Sequence, residues 1–393
     1  MKKLFLLSLI LPFMSLSAQP DSTITKQRKT WLNTSAQLMY QNGHVFATNE
    51  FLRGSNIEAE KIKYFQAAAF RFSTQTTGAK SWQQLYKYPY WGFGLYMASF
   101  DNEEEIGIPV AIYGFLNAPF VRGEKLSFNY ELGLGLTFNW KSFDPITNKY
   151  NTSIGAGESV LLDAGLNLSY AIAEKLDLST GFSLTHFSNG ALKKPNLGLN
   201  TIAPRLSLKY NFNSPPAFEY HELQEFQGEN EFLFSVYGGA KNVIFDTLNF
   251  DIVEKYEGVY FPEIGLSMGY NRQISNKSKF GFGFTFSYDG SVNAQVAIDE
   301  NEIEPINGKF TDDIMLSIYP SYELVINNLS ITLQPSFYLY RLKLAEQSPV
   351  AHQRIGFKYH FTNHLFAGVT LRAYQYHISD FIEWNLGYRI LRP

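Results

Sequence analysis

Apolar and polar residues alternate with a period of two along most of the chain. In residues 126–140 every even position is apolar, and every odd position is polar or glycine. Similar alternation recurs in residues 91–97, 279–286, 314–326 and 329–339. Because successive side chains of a strand point to opposite faces, this pattern predicts β-strands with one apolar and one polar face.

About sixteen such strands are predicted, separated by turn residues. They are expected near 34–46, 62–74, 89–99, 108–118, 126–140, 158–171, 175–188, 200–212, 231–240, 259–272, 279–289, 312–326, 329–342, 351–361, 364–377 and 381–390. Short turns such as Ala173-Glu174 alternate with long connections such as 189–199, which is typical of outer-membrane barrels. The pattern therefore predicts an all-β fold built from transmembrane antiparallel β-barrels.

A segment rich in proline and acidic residues divides the predicted strands eight and eight. Residues 213–231, NSPPAFEYHELQEFQGENE, suggest a linker. We expect an eight-stranded barrel in residues 30–212 and a second barrel-like domain of about eight strands in residues 232–393. The frequent inward glycines suit narrow barrels filled by their own side chains. A single sixteen-stranded barrel is the alternative, because a strand count does not tell which strands close the sheet.

Composition limits the molecules that the protein is expected to bind. Aromatic residues make up 16% of the chain, with 34 Phe and 25 Tyr, which suits interfacial girdles in which tryptophans such as Trp140 are expected to lie. The net charge of −3 argues against a nucleic-acid partner. Cysteine is absent, which excludes disulfides and thiolate metal sites, and the histidines lack metal-ligand spacing, so no metal or cofactor is expected.

The chain begins MKKLFLLSLILPFMSLSAQP, with two lysines before a short apolar run and a small residue at Ala18. This arrangement predicts a secretory signal peptide in residues 1–18, cleaved after Ala18. No later stretch approaches the roughly 20 apolar residues of a membrane-spanning helix. Export to the cell outer membrane is therefore expected.

One strand carries candidate chemistry at its end. His186 and Ser188 share the apolar face of the strand near 175–188, so they are expected to meet lipid at the outer headgroup boundary. A histidine beside a serine can act as its general base when a third group fixes the histidine tautomer. Asn200 belongs to the outward face of the next strand and is the candidate for that role. Asn189, Asn196 and backbone amides between the strands are candidate oxyanion donors.

The stretch HFSNGALKKPNLGLN, with GFSLT before it, resembles the motif of the outer-membrane lipid A 3-O-deacylases, eight-stranded barrels that hydrolyse the 3-linked acyl ester of lipid A. The resemblance covers roughly residues 30–212. It implies that His186 is the base, Ser188 the nucleophile and Asn196 part of the oxyanion site. The family's acid lies twelve residues after the serine, where this chain has Asn200.

The expected function is an outer-membrane lipid ester hydrolase that removes a 3-O-linked acyl chain from lipid A, with lipopolysaccharide of the outer leaflet as its partner. The alternative is a non-catalytic barrel that binds lipid, serves as a scaffold or forms a pore, having lost the family's acidic residue. A second His-x-Ser, at His377 and Ser379, ends an outward strand in the second half and is a weaker candidate site.

Overall fold

The computed structural model describes residues 33–214, 216–223, 225–245, 249–305, 308–342, 350–374 and 378–392. The predicted signal peptide and His377 lie outside these residues. The strands are β1 Thr34–Phe46, β2 Tyr64–Gln75, β3 Tyr90–Ser99, β4 Gly107–Arg122, β5 Leu126–Trp140, β6 Ser159–Ala173, β7 Leu176–Ser188, β8 Leu199–Asn211, β9 Asn230–Lys241, β10 Phe261–Ser275, β11 Ser278–Asp289, β12 Ile314–Ile326, β13 Leu329–Tyr340, β14 Ala351–His360, β15 Leu365–Tyr374 and β16 Ile378–Arg392.

Short helices lie in the long connections. They are α1 Glu50–Arg53, α2 Ser81–Leu85, α3 Phe250–Tyr256, α4 Val292–Asp299 and the 3₁₀ helix Phe310–Asp313. Within the described residues, no helix is long and apolar enough to cross a membrane.

The strands form two closed antiparallel barrels of eight. β1 pairs with both β2 and β8, and β9 pairs with both β10 and β16. The predicted fold class is confirmed. The sixteen-stranded alternative is wrong, because β1 and β8 pair with each other along their length and leave no open edge for a further strand. β9 begins at Asn230, within the last two residues of the segment 213–231 that suggested a linker.

Each barrel is polar inside and apolar outside. In β1, Gln37 and Gln41 are buried in the lumen, whereas Leu38 and Tyr40 are exposed on the outer surface. In β7, Phe182 is 62% exposed on the same outer surface. This arrangement is that of a membrane barrel, in which the outward apolar band meets lipid.

Ion pairs fill the lumen of the first barrel. Glu131 Oε1 accepts from Arg71 Nη2 at 2.5 Å and from Arg205 Nη1 at 2.6 Å, while Asn117 Nδ2 donates to Glu131 Oε2 at 3.1 Å. Arg205 also reaches Asp163 Oδ2 at 2.5 Å. These side chains are nearly inaccessible to solvent, so each charge depends on its partners for stabilisation.

Small inward residues make room for this filling. An added Cβ at Gly94 would lie 2.6 Å from the Tyr113 ring, and one at Gly135 would lie 2.3 Å from Tyr113 Cβ. Both distances are shorter than packed carbon atoms allow, so the two glycines are required where Tyr113 lies across the lumen. The expectation of narrow barrels with small inward residues agrees with this packing.

Aromatic rings close one end of the first barrel. Phe187 is fully buried and packs 5.2 Å from the Trp140 ring and 6.0 Å from the Phe100 ring, measured between ring centroids. The expectation that Trp140 lies in an interfacial girdle is wrong. Asn139 has a φ of +68°, which breaks the strand alternation, so Trp140 points into the core.

The second barrel has its own buried charges. Arg372 contacts Glu263 and donates from Nε to Asp380 Oδ2 at 2.8 Å. Lys241 Nζ lies 2.7 Å from Asp289 Oδ2. The interiors of both barrels are thus filled by paired side chains, as the inward polar positions of the sequence imply.

We expect Glu131→Gln to destabilise the first barrel by about 3–5 kcal/mol, because it leaves two buried arginines without their shared carboxylate. Urea titration of heat-modifiable gel migration in detergent micelles measures the effect. Glu103→Gln, in an exposed loop, is the control. A Glu131→Gln midpoint equal to that of the unmodified protein would show that the lumen does not depend on this carboxylate.

Candidate active site

His186 and Ser188 lie on one face of β7, at the C-terminal end of the strand. The residues between and beside them point inward: Phe187 packs in the aromatic core, and Thr185 Oγ1 donates to Asp163 Oδ1 at 2.8 Å. Strand alternation therefore fixes the outward direction of His186, which is half-buried, and of Ser188, which is 4% exposed. Two residues apart on a strand, their Cα atoms are separated by roughly 6.5 Å.

The structure brings His186 and Asn200 together. The two residues are directly opposite in the antiparallel register of β7 and β8. His186 Nδ1 lies 2.7 Å from Asn200 Oδ1. Because an amide oxygen only accepts hydrogen bonds, this contact places the proton of a neutral imidazole on Nδ1 and leaves Nε2 as the basic nitrogen.

Asn189 and Asn196 shape the loop that follows the serine. The Asn189 backbone N–H donates to Asn196 Oδ1 at 3.2 Å, and Asn189 Nδ2 donates to the carbonyl of Lys193 at 2.8 Å. Among the residues that the structure describes, Asn189 Oδ1 is a buried acceptor without a hydrogen-bond partner. Asn189 therefore uses its backbone donor, and at least one side-chain donor, in the folding of the loop.

The chain divides into two compact units, Met1–Ser188 with Gly198–Leu223, and Asn189–Leu197 with Gln224–Pro393. In the second unit, Lys194 Nζ donates to the carbonyl of Asn242 at 2.9 Å, and the Tyr260 hydroxyl donates to the carbonyl of Leu192 at 2.6 Å. Burial lowers the pKa of the Lys194 ammonium to about 8, although the nearby Asp380 carboxylate opposes the shift. These contacts within the second unit hold residues 189–197 in place.

The second His-x-Ser cannot be followed to its histidine, since His377 is outside the described residues. Near Ser379, Glu383 is fully buried and pairs with Arg354, with Nη2 2.5 Å from Oε2. This carboxylate is part of the ion pairs that fill the second lumen. Glu383 is therefore engaged in an ion pair inside the second barrel.

Two family models match the chain, one in each half. The model described as lipid A 3-O-deacylase (PagL) matches residues 68–209, and the model described as acyloxyacyl hydrolase, C-terminal domain, matches residues 230–392. Together they cover well over half of the sequence. The chain belongs to the PagL family. It is therefore an outer-membrane protein of the lipid A deacylase type, as the resemblance implied.

The chain is distantly similar to several solved structures. The Neisserial surface protein A is 10% identical and covers 46% of this chain and 97% of its own, with a TM-score of 0.29. The outer membrane enzyme PagL is 16% identical and covers 44% of this chain and 97% of its own, with a TM-score of 0.27. The Acinetobacter baumannii outer membrane protein Omp33 is 9% identical, with coverages of 91% and 99% and a TM-score of 0.17. No curated protein matches the chain.

Proposed function

We propose that this PagL-family member hydrolyses the 3-O-linked acyl ester of lipid A in the outer leaflet, with Ser188 as nucleophile and His186 as base. The observation that carries the proposal is the 2.7 Å contact between His186 Nδ1 and Asn200 Oδ1, two residues from an outward serine. A base oriented by a third group beside a hydroxyl is the arrangement that serine-dependent acyl transfer requires.

In this mechanism His186 Nε2 removes the proton of Ser188 as its oxygen attacks the ester carbonyl. Collapse of the tetrahedral intermediate expels the sugar hydroxyl, which takes the proton from His186. Water, activated by the same nitrogen, then hydrolyses the acyl-serine and releases the fatty acid. Asn200 keeps the imidazole in one tautomer throughout, without contributing a negative charge.

An oxyanion needs hydrogen-bond donors near the attacked carbonyl. The resemblance to the deacylase motif gives this role to Asn196, whereas the Asn189 N–H and Nδ2 already donate within the loop. The acyl chain would lie along the outward apolar face of β7. Phe182 and Leu184, 62% and 53% exposed, extend this face below His186.

Asparagine at the family's acid position supports a second candidate function, that of a lipid-binding barrel without catalysis. An amide cannot stabilise an imidazolium as a carboxylate does. A pore is less well supported, because buried ion pairs such as Arg71 with Glu131 occupy the lumen of the first barrel. Mass spectrometry of lipid A from cells with and without the protein distinguishes the hydrolase from the lipid-binding barrel.

Ser188→Ala should reduce deacylation of purified lipopolysaccharide to background, because no other group would form the acyl-enzyme. Heat-modifiable migration should be unchanged, since only one hydroxyl is lost. Thr180→Val, which removes an outward hydroxyl lower on β7, should retain full activity. A Ser188→Ala protein as active as the unmodified enzyme would refute the mechanism.

Asn200→Ala should lower the deacylation rate, because nothing would then hold the His186 tautomer. Asn200→Glu should raise the rate above that of the unmodified enzyme, because it restores the family's acid on the same outward face and stabilises the imidazolium. Rates of all three forms between pH 5 and 9 check both expectations. Equal rates for Asn and Ala at this position would remove Asn200 from the mechanism.

A further inference from the structure

The backbone of Gly198, just before β8, packs against the imidazole of His186. A Cβ added to Gly198 would lie 2.9 Å from His186 Cε1 and 3.3 Å from the carbonyl oxygen of Phe187. The residue also has a φ of +75°, a backbone conformation that residues other than glycine rarely adopt. The backbone itself therefore lies in contact with the edge of the ring.

Two polar residues from other loops hold Gly198 in this place. Its N–H donates to the backbone carbonyl of Ser153 at 3.0 Å. Asn49 Nδ2 donates to Ser153 Oγ at 2.9 Å and lies 3.4 Å from the carbonyl of Gly198. We refer to Asn49 and Ser153 as the clamp. Both are buried, with 5% and 0% exposure, so water does not compete for these hydrogen bonds.

The clamp residues are themselves fixed. Asn49 caps α1, where its Oδ1 accepts the backbone N–H of Leu52 at 3.1 Å. Ser153 precedes Ile154, whose N–H donates to Asn151 Oδ1 at 3.2 Å, and Asn151 Nδ2 donates to the carbonyl of Lys141 at 2.8 Å. The loop 141–157 is thus tied by its own asparagine side chain to the end of β5.

We propose that Asn49 and Ser153 are positioning residues, which hold Gly198 against His186 and keep the imidazole in the plane that its contact with Asn200 requires. This inference rests on the proposed function for its kinetic consequence, though not for its structural one. If Gly198 moved away, the ring could rotate about its Cβ–Cγ bond. Nδ1 would then leave Asn200 Oδ1, and Nε2 would lose the fixed direction that the proposed proton transfer requires.

A suitable variant separates the clamp from the helix cap. Asn49→Asp keeps the Oδ1 acceptor for Leu52 but replaces the Nδ2 donor with an oxygen, so it loses the bond to the Gly198 carbonyl, which only accepts. The Ser153 hydroxyl can then contact residue 49 only by donating to it. Ser153→Ala removes only the Oγ acceptor and is the second variant, should the first fail to fold. Asn56→Asp is the matched control, because the Asn56 amide donates to the carbonyls of Phe51 and Glu60 in the same buried loop.

The experiment uses the full chain in micelles, labelled with ¹⁵N histidine, with the His186 ring signals assigned by their absence in His186→Gln. We expect one Nδ1–H tautomer in the unmodified protein and in Asn56→Asp, and a tautomer mixture in Asn49→Asp. On lipopolysaccharide, kcat of Asn49→Asp should fall about 10- to 100-fold with KM little changed, as for a misplaced catalytic group. Heat-modifiable migration verifies folding of each variant.

The outcomes separate the two hypotheses. Unchanged His186 signals and kcat in Asn49→Asp and Ser153→Ala would overturn the positioning role. An equal loss in Asn56→Asp would also overturn it, because general loosening of the loop would then explain the effect. An unmodified protein that is inactive on lipid A, but whose ring signals respond to Asn49→Asp as expected, would refute the hydrolase and support the clamp.

Discussion

The fold depends on the requirement that no backbone N–H or C=O remain unpaired against hydrocarbon. Pairing of β1 with β8 and of β9 with β16 meets this requirement twice, once in each half of the chain. Closure also forces strict alternation, since each strand has lipid on one face and a packed lumen on the other. The position of the candidate site follows, because the inward packing of Phe187 places His186 and Ser188 on the opposite face of β7.

Alternation made the strands, their faces and the outward direction of His186 predictable from sequence. It failed at Trp140, where a single left-handed residue, Asn139, inverts the pattern. No periodicity reports such a residue, since Asn129 and Asn167 occupy strand positions of the same barrel without a positive φ. Alternation also could not decide between two barrels and one. It shows which faces of β1 and β8 are apolar, but it does not identify the strand that pairs with each edge.

The part of the site that lies on the neighbouring strands β7 and β8 was predictable from the sequence. Asn200 could be assigned to the same outward face as His186 because β7 and β8 are consecutive strands with a clear alternation, and the structure pairs the two residues directly. Asn49 and Ser153 could not be found in this way. Asn49 is 149 residues from Gly198, and its contact depends on how a loop after β1 meets the loop between β5 and β6. The local signal is Gly198 itself, a glycine two residues before Asn200, which occupies the family's acid position.

An amide in place of the family's acid changes what holds the imidazole. In the Ser-His-Asp triad of the serine proteases, exchanging the acid for its amide lowers kcat by about 10⁴-fold, partly through the wrong tautomer. Here the amide oxygen faces Nδ1, so the productive tautomer is retained and the missing contribution is electrostatic. A neutral group also avoids placing a charge next to lipid. A neutral hydrogen bond orients the His186 ring less strongly than a charged one would. In our proposal, contact with the Gly198 backbone therefore contributes more to the orientation of the ring than it would beside a carboxylate.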